Sequence, residues 1–331
     1  MGSKKKIAIA MGGYSSEYAI SVQSGEVVYK WLDRSQYEPY RILLKKDRWE
    51  YLPEGGDPVP VDRSDFTVNI GGSRLRFDCV FNAIHGTPGE DGRLQAYLDL
   101  LGIPQTACDY YQAALTFNKR DLLSVLKTYG IPCARSFHLN RGQASDEEAI
   151  LEAVGLPCFV KANRAGSSFG VSLVKERAAL PAAIEAAYAE DDQILIEAAL
   201  QGIEVSVGVI RHRGEIRVLP ITEIVSENAF FDYQAKYEGK SKEITPARIP
   251  EETAARIREM AGTIYRVLQL SGYSRSEFIL VDGVPHLLEV NTTPGLTEAS
   301  ILPQQAEAAG IGLTELFGSA IREALAKNSY L

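Results

Sequence analysis

The stretch "LLEVNTTPGLTEAS", Leu287 to Ser300, places a carboxylate and an amide, Glu289 and Asn291, two residues apart among apolar neighbours. A strand turns side chains two apart to one face, so both point the same way. The preceding run, "SRSEFILVDG", supplies Arg275 and Glu277 ahead of an Asp282-Gly283 turn. With a two-residue loop, Glu277 faces away from Glu289. With a three-residue loop or a one-residue bulge, Glu277 lands opposite Glu289, and Arg275 opposite Asn291. The second register gathers two carboxylates, an amide oxygen and a guanidinium, a set costly to bury unless a cation relieves it. All-oxygen ligands select Mg²⁺ or Mn²⁺ over zinc. An Arg275–Glu277 salt bridge on an ordinary face is the other reading of the same residues.

Phosphate chemistry has its own candidates. "KANRAGSSFG", Lys161 to Gly170, follows a strand with small residues that let backbone N–H groups approach an anion. No Gly-Lys-Ser/Thr closes it, so it is not a Walker loop, and a plain hairpin tip fits it equally well. Lys119, opening a helix, and Lys161 can reach a nucleotide or remain solvated. "LIEAALQGIEVSV" ends an apolar strand at Glu197 and offers Glu204 a short loop later, a strand edge suited to a base and ribose hydroxyls.

The elements that must position these groups follow from periodicity. "IAIAM" reads as a strand closed by Gly12-Gly13, with an amphipathic helix from about 16 to 32. Hairpins follow over about 41–77, then the buried strand "CVFNAIHG" and the loop "HGTPGEDG". Next come the helix Arg93–Leu101 and a strand "IPQTA". Strands alternating with helices predict a mostly parallel sheet. A single helix "TFNKRDLLSVLKTYG" is expected to stop at Gly130. "EVSVGVIRHRGEIRVLPITEIV" reads as an antiparallel hairpin turning at Arg213-Gly214. Residues 226–248 are aromatic, charged and aperiodic, the signature of a lid or binding loop. A helix after Pro250 and one near the C-terminus complete the chain.

The bulk properties narrow the class. With 331 residues, 45% apolar and 24% charged, the chain has material for two or three domains and a core. A net charge of −8 argues against nucleic acid as the main partner. Cys79, Cys108, Cys133 and Cys158 lack zinc-site spacing and read as reduced thiols. No run has membrane length, and Met1–Lys6 is too short and charged for a signal peptide, so a cytoplasmic location is expected. Gly12-Gly13 lacks the spaced glycine fingerprint of a dinucleotide-binding dehydrogenase.

Taken in order, "GGYSSEYAIS", "HGTPGEDGRLQA", "KANRAGSSFG", "FFDYQAKY", "LLEVNTTPG" and "GLTEAS" resemble the motifs of the D-alanine–D-alanine ligases, members of the ATP-grasp superfamily. The resemblance covers nearly the whole chain. It implies an N-terminal parallel-sheet α/β domain (1–115), followed by a two-lobed ATP-grasp fold (116–210 and 211–331). It also implies ATP-dependent joining of two D-alanines through a D-alanyl phosphate, for peptidoglycan precursors. By motif position, Glu17 holds the first substrate's ammonium, aided by His85, while Ser300 and Ile301 bind the second substrate. Lys119, Lys161, Gly166, Ser167, Ser168, Glu197, Glu204 and Lys236 serve ATP. Two Mg²⁺ or Mn²⁺ ions fall to Glu277, Glu289 and Asn291. Arg275 and the Gly295 N–H serve the oxyanion, and Tyr237 hydrogen-bonds across to Ser167; a tyrosine there goes with the dipeptide product. A homodimer is implied. Glu277 stands where the family usually has aspartate, Ser276 where an apolar residue is usual, and Ala162 where proline is common. A weakly active nucleotide-binding homologue, or a ligase for another D-alanyl-D-X product, are the alternatives.

Overall fold

The structure is a computed structural model and describes residues 3–166, 170–226 and 241–327. Three sheets organise it. The first contains β1 (Lys5–Gly12), β2 (Tyr37–Leu44), β3 (Trp49–Leu52), β4 (Val59–Asp62), β5 (Thr67–Ile70), β6 (Ser73–Leu75) and β7 (Cys79–Asn82). Its order is β6-β5-β4-β3-β2-β1-β7. β1 pairs in parallel with both β2 and β7, and the expected hairpins extend the sheet antiparallel from β2. β1 is fully apolar from Ile7 to Met11 because both faces of the parallel centre are covered.

The second sheet is built from β8 (Ser136–Asn140), β9 (Cys158–Ala162), β10 (Val171–Val174) and β11 (Gln193–Ala198), ordered β10-β9-β11-β8. The third takes β12 (Ile203–His212), β13 (Glu215–Val218), β14 (Thr222–Ser226), β15 (Ser241–Ile244), β16 (Tyr273–Val281) and β17 (Val284–Asn291). β12 is its centre, paired with β13, β14 and β16. Arg213 and Gly214, both at positive φ, make the expected β12–β13 turn.

Two local expectations are corrected. "IPQTA" forms no strand, making only the single bridge between Gln105 and Val80. The helix expected through Thr116–Gly130 is two, Tyr110–Phe117 and Lys119–Lys127. Asn118, in extended conformation, breaks it, and its side chain accepts from the Asp121 N–H as the N-cap of the second helix. That break puts Lys119 on a helix N-terminus, with Leu122, Leu123 and Leu126 anchoring the helix in the core.

The C-terminal end is also two helices, Ile301–Ala308 and Leu313–Lys327, and they cover one face of the first sheet. Phe317 meets Phe81 edge-on at 5.6 Å. This shared core brings the end of β7 against the end of β17, so the His85 loop and Thr293 meet.

Candidate functional site

The β16–β17 hairpin sets the site. Val281 pairs with Val284 across a two-residue turn, and Asp282 and Gly283 both carry positive φ. Alone, that turn would send Glu277 and Glu289 to opposite faces. A bulge between Glu277 and Phe278 shifts the ladder, so Glu277 pairs with Glu289 and Arg275 with Asn291. The bulge keeps Phe278, Leu287 and Val290 together in the core while Glu289 and Asn291 turn out of it.

Two cavities meet at this hairpin. The smaller, about 100 Å³, is lined by Glu17, His85, Glu90, Lys119, Gly166, Arg275, Glu289, Asn291 and Gly295, among others. The larger, about 590 Å³, is lined by Lys119, Lys161, Glu197, Glu204, Glu277, Leu288 and Glu289, with Phe159 and Ile279 on its apolar side. Lys119, Ala165 and Glu289 belong to both walls.

Each cation there has a carboxylate partner. Lys119 Nζ lies 3.1 Å from Glu289 Oε2 and also donates to the Ala165 carbonyl at 3.0 Å. Burial works to lower the Lys119 pKa, but Glu289, with Glu90 and Glu277 behind it, holds it above the usual lysine value. Arg275 Nη2 stands 3.0 Å from Glu277 Oε1, the salt bridge that the sequence left open. Lys161 Nζ donates to Glu197 Oε2 at 2.9 Å, and Glu197 is 2% exposed.

His85 is fixed from both sides: Nε2 pairs with Ser24 Oγ at 2.9 Å and Nδ1 with the Thr293 carbonyl at 2.8 Å. Burial lowers its pKa below the usual histidine value against the pull of nearby Glu17, favouring the neutral ring. Asn291 Oδ1 accepts the Thr293 N–H at 2.9 Å, tying the metal-ligand candidate to the same turn. Two glycines leave necessary room. A Cβ on Gly166 would lie 2.4 Å from Glu17 Oε2, and one on Gly295 would lie 2.7 Å from Ser300 Oγ.

The smaller cavity thus unites Glu17, His85, Lys119, Gly166, Arg275, Glu289, Asn291 and Gly295, and the larger adds Lys161, Glu197, Glu204 and Glu277. Ser300 and Ile301 do not line the smaller cavity. Ser300 Oγ bonds Thr297 Oγ1 at 2.7 Å, and Ile301 is buried against Ile224. Ser167, Ser168, Lys236 and Tyr237 lie outside the described residues. Sequence reasoning missed Ser24, Thr293 and Glu90. Glu90 stands inside the quoted "HGTPGEDG" motif, and only its burial distinguishes it from a surface loop carboxylate.

Among the described residues no three His, Cys, Asp or Glu side chains gather into a metal cluster. Glu277, Glu289 and Asn291 nonetheless fit Mg²⁺, which takes one or two carboxylates and completes its octahedron with water and substrate phosphate.

Comparison with known proteins shows the family. The N-terminal model of the D-Ala–D-Ala ligases matches residues 6–108, and the C-terminal model matches residues 125–322. A D-alanine–D-alanine ligase of Flavobacterium johnsoniae is 61% identical over 97% of this chain and 100% of its own. The VanG D-Ala:D-Ser ligase of Enterococcus faecalis superposes with a TM-score of 0.84 at 32% identity, over 97% of this chain and 100% of that one. The Bacillus anthracis D-alanine–D-alanine ligase complexed with ATP gives 0.80 at 27% identity, over 98% and 99%.

Proposed function

The chain belongs to the D-alanine–D-alanine ligase family, and from that premise we propose how its residues divide the work. The protein is an ATP-dependent ligase joining two D-alanines into D-alanyl-D-alanine for peptidoglycan precursors. The observation that carries the assignment of roles is the wall formed by Lys119 and Glu289, shared by a small substrate-sized cavity and a larger nucleotide-sized one.

In this reading ATP occupies the larger cavity, its base against Phe159, Ile279 and Leu288, with Glu204 toward the ribose. Lys119 and Lys161 meet the phosphates. The first D-alanine enters the smaller cavity with its ammonium on Glu17 and its carboxylate toward the shared wall. A carboxylate oxygen of that substrate attacks the γ-phosphorus, ADP leaves, and a D-alanyl phosphate results. The amine of the second D-alanine attacks the acyl carbon, and the tetrahedral adduct expels phosphate and loses the amine proton. Arg275 and the Gly295 N–H face the oxygen on which charge develops. Glu277, Glu289 and Asn291 would hold Mg²⁺ or Mn²⁺, which would offset the repulsion between carboxylate and triphosphate. Neutral His85 fixes the Gly86 loop around the first substrate. Ser300 with Ile301 serves the second substrate once the Ser300 hydroxyl leaves Thr297.

Ser167, Ser168, Lys236 and Tyr237 complete the ATP and lid contacts in this proposal. The domain limits 1–115, 116–210 and 211–331 and a homodimer belong to it. So does a cytoplasmic site, where ATP is available; among the described residues no helix is long and apolar enough to cross a membrane. The test is phosphate release from ATP with D-alanine, with and without Mg²⁺. Turnover requires all three, and none above background refutes the assignment of roles. Supplying D-serine or D-lactate as second substrate decides between the dipeptide and another D-alanyl product.

A further inference from the structure

Three carboxylates line the small cavity: Glu17, Glu90 and Glu289. The reading above gives a task to Glu17 and to Glu289 but none to Glu90. Glu90 is 8% exposed, and its Oε2 accepts the Gly86 N–H at 2.6 Å. Its own N–H donates to the Gly86 carbonyl at 2.8 Å. The loop from Gly86 to Glu90 is thereby closed on itself, and the carboxyl cannot swing out of the wall without breaking that ring. Burial, then the nearby charge of Glu17, pushes Glu90 up to about 8. Glu289 on β17 adds to this, while Lys119 on its helix and the Gly86 N–H oppose it. The site therefore holds a carboxyl short of positive charge beside the carboxylate that receives an ammonium. An ammonium has three diverging donors, and a single carboxylate on one side faces at most two of them.

We propose that Glu90 is a second carboxylate for the first substrate's ammonium, sharing it with Glu17 and selecting an α-amino acid over an α-hydroxy acid at that subsite. The proposal rests on the ligase reading. The competing role, a brace for the His85 loop alone, needs only an acceptor for the Gly86 N–H. Glu90→Gln keeps that acceptor and removes the charge, so it separates the two roles.

Turnover is measured against D-alanine concentration at saturating ATP and Mg²⁺, resolving the two D-alanine subsites. Glu90→Gln raises the first-subsite KM at least about tenfold, the usual worth of one charged hydrogen bond. The KM for ATP stays within about twofold, and Glu90→Asp recovers part of the loss. An unchanged first-subsite KM overturns the proposal. If Glu90→Gln fails to fold, Glu90→Asp decides: a rise confined to the first-subsite KM supports the proposal, and no rise, or an equal rise in the ATP KM, overturns it. Wild-type turnover in the same assay keeps the ligase reading separate, because dipeptide formation stands whatever the variant does.

Discussion

Removing one charge from the shared wall should strengthen one kind of binding while destroying catalysis. Glu289 faces Lys119 at 3.1 Å, with side-chain exposures of 25% and 17%. Without metal, a nucleotide phosphate must compete with Glu289 for that ammonium. At an effective dielectric of about 20, the bare attraction is about 5 kcal/mol, most of it offset by desolvation of the two groups. A charge-assisted hydrogen bond is worth about 1.5–3 kcal/mol net. Glu289→Gln leaves Lys119 a neutral partner and frees most of that interaction for phosphate. ADP affinity in EDTA should therefore rise roughly tenfold, about 1.4 kcal/mol. With Mg²⁺ the sign reverses if Glu289 is a metal ligand as proposed: the gain in ADP affinity on adding Mg²⁺ shrinks, and turnover drops by about a thousandfold or more. Titration calorimetry of ADP with EDTA and then with Mg²⁺ gives all four affinities. Metal-free affinity that is unchanged or weaker in the variant would falsify the exchange of partners at Lys119.

Three further outcomes follow from particular contacts. Gly166→Ala puts a methyl 2.4 Å from Glu17 Oε2. Steady-state kinetics should show kcat/KM for D-alanine falling by about 10–100-fold as Glu17 is displaced, and wild-type kinetics would refute the close packing. Ser276 is 1% exposed and its hydroxyl has no partner among the described residues, so Ser276→Ala should stabilise the fold by about 1 kcal/mol in denaturant titration; a loss of stability counts against it. Burial holds the His85 pKa below its unfolded value, so the unfolded chain binds the proton first and stability is lost as pH falls below about 6.5. The stability difference between wild type and His85→Gln should narrow from pH 8 to pH 5.5, and a constant difference would contradict a neutral buried ring.

The sequence contained more of this site than its periodicity alone reveals. Leu287 and Val290 are both core residues, three apart, and a regular strand cannot turn both to one face. That spacing is the signature of the bulge. Leu288 is the extra residue, left on the wall of the larger cavity while Glu289 and Asn291 turn toward the smaller one. The Asp282-Gly283 turn was equally legible, yet turn and strand pattern appeared to disagree, and only the bulge reconciles them. The two helices around Asn118 hid in one amphipathic run because an N-cap asparagine inside such a run breaks no apolar pattern.

What no local pattern carries is the pairing of charges across elements. Lys119 meets Glu289 because a helix N-terminus and the end of β17 are pressed together by cores formed elsewhere. Arg275 and Glu277 pair along one strand face, two residues apart, and this pair was readable. The two pairs have the same consequence. Any cation that takes Glu289 and Glu277 frees Lys119 and Arg275 from their carboxylate partners, toward the larger and the smaller cavity respectively. Glu277, longer by a methylene than the family's usual aspartate, suits that exchange, since its reach lets it hold Arg275 when no cation competes. Glu277→Asp should therefore weaken the Arg275 contact and leave the guanidinium freer before metal arrives. The Mg²⁺ concentration for half-maximal turnover then falls by a few-fold, because less internal pairing must be broken. A requirement that rises instead would show that the longer side chain was needed to reach the ion.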